Sequence, residues 1–232
     1  MAPQLTARAL RRENLESDQR FPQDVLELQS YFQPAEPAQT VRAVPGSGLQ
    51  VPIWLLGSSL FSAQLAAHLG LPYAFASHFA PDLLSEALQI YRSSFRPSAQ
   101  LEQPYVMVGI NVVAADSDAE AGYLFTSQQM QSVDMIRGRR CQLGPPIDDM
   151  DTYWNAVEKP AVEHKMTYAF VGSGETVKTG IEALIADTEA DELIATARIF
   201  EPSACLRSLE ILAQVRRLLV AEAAVATGER EP

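Results

Sequence analysis

The sequence predicts an α/β protein with a parallel sheet covered by helices, and three observations carry that prediction. Short apolar runs alternate with helix-patterned stretches from residue 51 onward. The runs are apolar almost throughout rather than at every second position, as strands buried on both faces must be. Each handover from strand to helix falls on Gly, Ser, Pro or Asp, the residues that turn chains and cap helices. Alternation of this kind suits an open sheet or a closed barrel alike.

Residues 1–50 read as an N-terminal helix and loop, ahead of the α/β region over 51–232. The opening MAPQLTARALRRE is basic and helix-prone, with no strand ahead of it. In FPQDVLELQSYF, Val25, Leu28 and Phe32 recur at helical spacing, and Pro22 suits a first helical turn. The stretch QPAEPAQTVRAVPGSG, residues 33–48, holds three prolines and two glycines and reads as a loop.

VPIWLLG (51–57) is the first strand, and SSLFSAQLAAHLG is a helix closed by Gly70. LPYAFASHF (71–79) is the second strand. The helix after it, PDLLSEALQIYRSSF, aligns Leu84, Leu88, Tyr91 and Phe95 on one face. YVMVGINVVAA (105–115) is a longer third strand, followed by helical sequence from Ser117 to about Arg137. GRRCQLGPPIDDMDT (138–152) breaks the pattern. Helical stretches follow at roughly 155–169 and 174–187, then a fourth strand in DELIATARIF (191–200) and a long last helix from SACLRSLEILAQ onward.

Charge excludes some functions. Lys and Arg number 18 against 29 Asp and Glu, a formal charge of −11, which repels nucleic acid and anionic membranes. Two cysteines, Cys141 and Cys205, are too few for a disulfide framework, and no Cys/His spacing suits zinc, so no metal site and a reducing cytoplasm are expected. The N-terminus has no signal-type apolar core, and no run is long enough to span a bilayer.

In parallel α/β proteins ligands bind beyond the carboxyl ends of the strands. At the first such end, Leu56-Gly57-Ser58-Ser59-Leu60, no acid opposes the positive end of the following helix, and two hydroxyls stand beside its free N–H groups. Those features suit a phosphate; a plain serine cap is the alternative. Val171-Gly172-Ser173-Gly174-Glu175-Thr176 looks similar, but Glu175 already complements the helix, so Ser173 reads as a cap only. His78 ends the second strand, placed for proton transfer or hydrogen bonding, or else as an orienting histidine. His68 and His164 lie inside helices and read as structural. Asn111 lies on the third strand, and Asp116 and Asp118 after it are expected to serve the N-terminus of the next helix. Arg198 either projects into a site or meets an acid. Cys205 has no neighbouring base and is a poor nucleophile.

Longer blocks carry a resemblance. VPIWLLGSSLFSAQLAAHLGLPYAFASHFAP, IYRSSFRPSAQLEQPYVMVGINVVAADSDAEA, FTSQQ, PPIDDMDTYW, VGSGETVKTGIEAL and DELIATARIF occur in order, preceded by TARALRR and FPQDVLELQSYF. Together they resemble the bacterial luciferase-like flavin monooxygenases, (β/α)₈ TIM-barrel proteins. The resemblance implies FMN as cofactor, reduced by a separate flavin reductase, and O₂ with a small organic molecule as substrates. It also implies Gly57, Ser58 and Ser59 at the FMN phosphate, Leu56 near the flavin ring, and His78 at the same mouth as the catalytic candidate. An Arg-bearing turn that relatives have after their fourth strand has no counterpart here, and Glu201-Pro202 stand where relatives commonly have Asp-His.

About four parallel strands cannot close a barrel, which typically takes about 250 residues and eight strands. The reading is therefore an incomplete barrel lacking roughly the first four β/α units, through a start-site error or a real truncation. Such a chain is expected to be unstable alone, to form a homo-oligomer, or to be completed by an N-terminal segment. A truncated, non-catalytic flavin-binding or structural relative is the alternative function.

Overall fold

All strand pairings among the described residues are parallel. The structure, a computed structural model, describes residues 17–227 except 38 and 40. The basic stretch MAPQLTARALRRE lies outside the described residues. The chain divides into two compact units, Met1–Ile53 and Trp54–Pro232.

In the first unit, α1 (Ser17–Phe32) begins before Pro22, which lies inside the helix instead of opening it. A proline there removes one backbone bond near the helix start, where few bonds exist to lose. Val25 is buried, whereas Leu28 stays exposed. The loop after α1 folds back on it: the N–H groups of Gly48 and Gln50 both donate to the Phe32 carbonyl, at 3.1 Å each. Those bonds satisfy a helix end that would otherwise be open.

The second unit runs β1 (Leu55–Gly57), α2 (Leu60–Leu69), β2 (Tyr73–Phe75), α3 (Leu84–Ser94), β3 (Val106–Ala114) and α4 (Asp118–Ile136). It continues with a 3₁₀ turn (Met150–Thr152), α5 (Glu158–Lys165), β4 (Ala169–Gly172), α6 (Gly174–Thr188), β5 (Glu192–Thr196) and α7 (Pro202–Thr227). Sequence patterning predicts four strands here, and the structure has five. The extra one, β4, is only four residues long, too short to show a period of its own. It exists because β3 is long enough to extend past β2 and offer it a free edge.

The registers fix which edge. Met107 and Val108 pair with both β2 and β5, so those strands lie on opposite edges of β3. Asn111 pairs with both β4 and β5, so β4 shares the edge of β2, farther along. The sheet is therefore β1-β2-β3-β5, open rather than closed, with β4 continuing one edge of β3. This is an incomplete barrel core, as the sequence predicts.

The same registers sort the side chains into two faces. Leu55, Tyr73, Phe75, Val106, Val108 and Ile110 point to the helix side and are all buried. Ala63, Ala66 and Ala67 of α2 are fully buried, and small residues there let the helices approach closely. The opposite face carries Leu56, Ala74, Met107, Gly109, Asn111, Ile194 and Thr196. On that face Leu56 and Ile194, on the two outer strands, are 63% and 47% exposed. Beyond the strand ends α4, α5 and the 3₁₀ turn build a second cluster around Val113, Phe125, Met130, Val133, Val162 and Ile199.

Polar ties lock the sheet at specific points. The Tyr91 hydroxyl donates to the Leu71 carbonyl at 2.9 Å, Asp191 accepts from the Val106 N–H at 2.7 Å, and Ser208 of α7 accepts from the Ala114 N–H at 2.9 Å. Gly70 closes α2 in the left-handed region, φ 61°, with its N–H on the Ala66 and Ala67 carbonyls. A Cβ there would lie 2.4 Å from the Arg96 carbonyl oxygen. Gly70→Ala is therefore expected to destabilise the protein by about 1–3 kcal/mol. Urea unfolding reads this directly; an unchanged midpoint would contradict the packing at that turn.

Candidate functional site

The carboxyl ends of β1, β2, β3 and β5 meet on the face away from the helices, and there the polar side chains gather. Asn111, only 2% exposed, donates through Nδ2 to the His78 carbonyl at 2.6 Å and accepts at Oδ1 from the Thr196 hydroxyl at 2.9 Å. Ser77, fully buried, donates to the Gly109 carbonyl at 2.6 Å. These bonds tie the segment after β2 to the middle of β3 and the tip of β5, so the position of His78 is set by main chain on both sides. Nothing in the sequence pairs Asn111 with Thr196; the signal would have been a polar residue amid an otherwise apolar strand.

His78 lies over Gly109. A Cβ on Gly109 would fall 2.4 Å from His78 Nδ1, so the imidazole occupies the space that any side chain at 109 would need. Phe79 meets the ring edge-on, with centroids 4.8 Å apart. Nδ1 is buried and has no hydrogen-bond partner among the described residues. Burial, and then the positive charge of Arg198, hold the imidazole below its ordinary pKa. The ring is therefore neutral near pH 7, with Nδ1 enclosed against Gly109.

At the end of β1, Ser59 is the N-cap of α2. Its hydroxyl accepts from the Ser62 N–H at 3.3 Å, and Ser62 Oγ accepts from the Ser59 N–H at 3.4 Å, a reciprocal capping box. Ser62 also meets the Tyr73 hydroxyl at 3.0 Å. The missing Cβ of Gly57 is explained by Ser62, whose Oγ would lie 2.3 Å from it. Gly57 thus lets the helix start sit tight on the strand. Among the described residues, no acid lies in the first turn of α2, and the N–H groups of Leu60 and Phe61 have no acceptor.

The second Gly-Ser window behaves differently. Ser173 caps α6, as the sequence predicts, with its hydroxyl accepting from the Thr176 N–H at 3.4 Å. Asp118 lies in the first turn of its own helix, as expected, and also reaches across to the start of α6. Its Oδ1 accepts from the Ser173 N–H at 2.7 Å and the Thr176 hydroxyl at 2.8 Å, bonds that hold its carboxyl below the usual range. Asp118 reaches that far because Ala114 pairs with Gly172, which brings the start of α6 beside the start of α4. Ser117 caps α4, and Asp116 pairs with Arg207 at 2.6 Å. The α6 start is thus filled by an internal carboxylate, and the α2 start is not.

The remaining candidates separate. His68 bonds the Gln64 carbonyl at 2.9 Å within its helix, and His164 pairs with Asp82. Cys141 is exposed and Cys205 faces the Ala197 carbonyl. Arg198 donates to the amide oxygen of Gln131 rather than to an acid. Among the described residues no group of three or more His, Cys, Asp or Glu could hold a metal, and no helix is long and apolar enough to cross a membrane.

Residues 6–192 match the family described as luciferase-like monooxygenase. The chain belongs to that family. The luciferase-like monooxygenase of Escherichia coli (strain K12) is 48% identical over 217 residues, covering 94% of this chain and 65% of that protein. The uncharacterized protein YvbT of Bacillus subtilis (strain 168) is 47% identical over 213 residues, covering 91% of this chain and 63% of that protein. Among solved structures, the crystal structure of apo-MsnO8 is similar with a TM-score of 0.73 and 26% identity, over 91% of this chain and 64% of that one. This luciferase-like chain spans just under two thirds of the length of the curated relatives it matches.

In this candidate site, His78 should titrate below the ordinary imidazole value of about 6.5. Because the neutral ring is the folded form, its contribution to stability is complete above the unfolded value and is lost as pH falls through it. NMR of the imidazole checks this: Arg198→Gln should raise the midpoint, and Gly109→Ala, which evicts the ring, should return it toward the unfolded value. A wild-type midpoint at or above 6.5 would contradict the burial of Nδ1.

Proposed function

We propose that this chain belongs to an FMN-dependent oxidoreductase that uses reduced flavin and O₂ to oxygenate a small organic molecule, the flavin being reduced by a separate reductase. One observation carries the reading. The start of α2 keeps two unsatisfied N–H groups, two serine hydroxyls and no acid at the carboxyl end of a parallel strand, and these suit a phosphate dianion. The comparable start of α6 already holds the Asp118 carboxylate, whose charge opposes a second anion.

The residues have distinct roles in this reading. Ser58, Ser59 and the main chain from Gly57 into α2 hold the phosphate. Ser59 caps through its hydroxyl, so the helix start is rigid before the anion arrives. Leu56 is 63% exposed beside this loop and offers an apolar surface to the flavin ring. His78, partly exposed and held over Gly109, is the neutral base that accepts or relays a proton. Bound FMN supplies the electron transfer to O₂, which side chains alone do not perform.

A second reading is supported by the open sheet. With Leu56 and Ile194 exposed, the chain holds flavin without turnover, or serves a structural role. A separate flavin reductase with NADH and FMN distinguishes the two, since substrate-dependent oxygen uptake is expected only for the enzyme.

Ser59→Asp tests the phosphate site. Aspartate caps a helix as well as serine does, so the fold should persist, while its charge opposes the phosphate. FMN affinity, read by fluorescence quenching, should fall about tenfold or more, and riboflavin affinity should stay unchanged. Equal losses for both flavins, or no loss for either, would contradict the assignment.

A further inference from the structure

The strand Val106–Ala114 holds one polar side chain, Asn111, between Ile110 and Val112, each 1% exposed. A buried amide costs free energy that an apolar residue in its place would not, unless both of its ends are bonded. Both are. Oδ1 accepts from the Thr196 hydroxyl at 2.9 Å, and Nδ2 donates to the His78 carbonyl at 2.6 Å. Asn111 and Thr196 stand opposite each other where β3 pairs with β5, so the first bond follows from register. The second leaves the sheet for the segment that carries His78.

The direction of this chain of bonds is fixed. A carbonyl only accepts, so the amide must turn its nitrogen to His78 and its oxygen to Thr196. The Thr196 hydroxyl has one other acceptor near it, the Ile110 carbonyl, at the longer distance of 3.5 Å. Its hydrogen therefore goes to Asn111. Without that hydroxyl the amide oxygen loses its donor, and the amide is no longer held to one of its two orientations. The reversed one sets oxygen against the His78 carbonyl oxygen.

One face of β3 engages His78 twice. The ring fills the space over Gly109, and the carbonyl is held by Asn111 two residues on. Ser77 adds a hold next to it, from its hydroxyl to the Gly109 carbonyl at 2.6 Å. Nδ1 of the ring makes no bond among the described residues. The imidazole is thus kept in place by packing and by the main chain of its own residue.

We propose that Asn111 and Thr196 are positioning residues of the candidate site: acting through the His78 carbonyl, they hold the imidazole over Gly109, at the mouth assigned to the flavin ring. The flavin in this assignment rests on the FMN-dependent reading, whereas the hold on the ring rests on the bonds alone. A role confined to stability is the rival. In that case replacing both partners by apolar residues of similar shape removes the need for either bond.

Thr196→Val, Thr196→Ser and the double variant Asn111→Leu with Thr196→Val are compared with wild type. NMR reads the ring position as the nuclear Overhauser contact from His78 Hε1 to the Gly109 α-protons, because a Cβ on Gly109 would lie 3.0 Å from Cε1 of the ring. Urea unfolding reads stability, and FMN and riboflavin are titrated by fluorescence. The contact should be strong in wild type and Thr196→Ser and weak in Thr196→Val. In the double variant it should stay weak although the urea midpoint recovers. Affinity for both flavins should fall together, by about fivefold to tenfold, wherever the contact weakens, and Thr196→Ser should restore it.

An undiminished contact in Thr196→Val would overturn the proposal, and this single variant decides the matter if the double variant does not fold. A contact that recovers in the double variant together with stability would make the pair structural and overturn it as well. A contact that responds as expected in a protein binding neither flavin would retain the hold on His78 and overturn the flavin reading instead.

Discussion

β3 is hydrogen-bonded along both edges, and every other feature of the second unit depends on that. Its nine residues, Val106–Ala114, are long enough to take β2 and β4 end to end on one side and β5 on the other. Eight of the nine are buried, so the strand has no face exposed to water along most of its length. A parallel strand in that position must be apolar on both sides, and the run VMVGINVVA meets the condition except at Gly109 and Asn111. Those two exceptions shape the candidate site: one leaves room for the His78 ring, and the other fixes the His78 carbonyl and the β5 tip.

The same length explains why two similar-looking Gly-Ser turns differ. Because β4 attaches to the extension of β3, its turn into α6 lies beside the turn from β3 into α4, and Asp118 bridges them. Among the described residues, the β1 turn has no such neighbour. Its helix start is completed by serines from its own sequence, which cap without adding charge. An anion at that turn must therefore come from outside the chain, whereas an anion at the α6 turn is already supplied.

Much of the fold is legible in the sequence, because apolar runs and helix caps are local signals. The strands at Leu55–Gly57, Tyr73–Phe75, Val106–Ala114 and Glu192–Thr196 all fall inside the predicted runs, and Gly70, Ser117 and Ser173 act at the helix ends where their chemistry places them. What escapes local reading depends on register. The strand Ala169–Gly172 is too short to signal itself, and the destination of Asp118 follows only from the pairing of Ala114 with Gly172. The site is legible in part. His78 and the serine turn are visible as chemistry at strand ends, while the bond from Asn111 to Thr196 spans 85 positions and needs the fold.

Amide hydrogen exchange followed residue by residue tests the central role of β3 most directly. Strands paired on both edges exchange through large openings, and outer strands through small ones. The account predicts that amides of residues 106–114 are the slowest in the chain, with those of 55–57 and the outward-facing amides of 192–196 exchanging well ahead of them. Protection that is equal across these strands, or greatest in the outer ones, would contradict it.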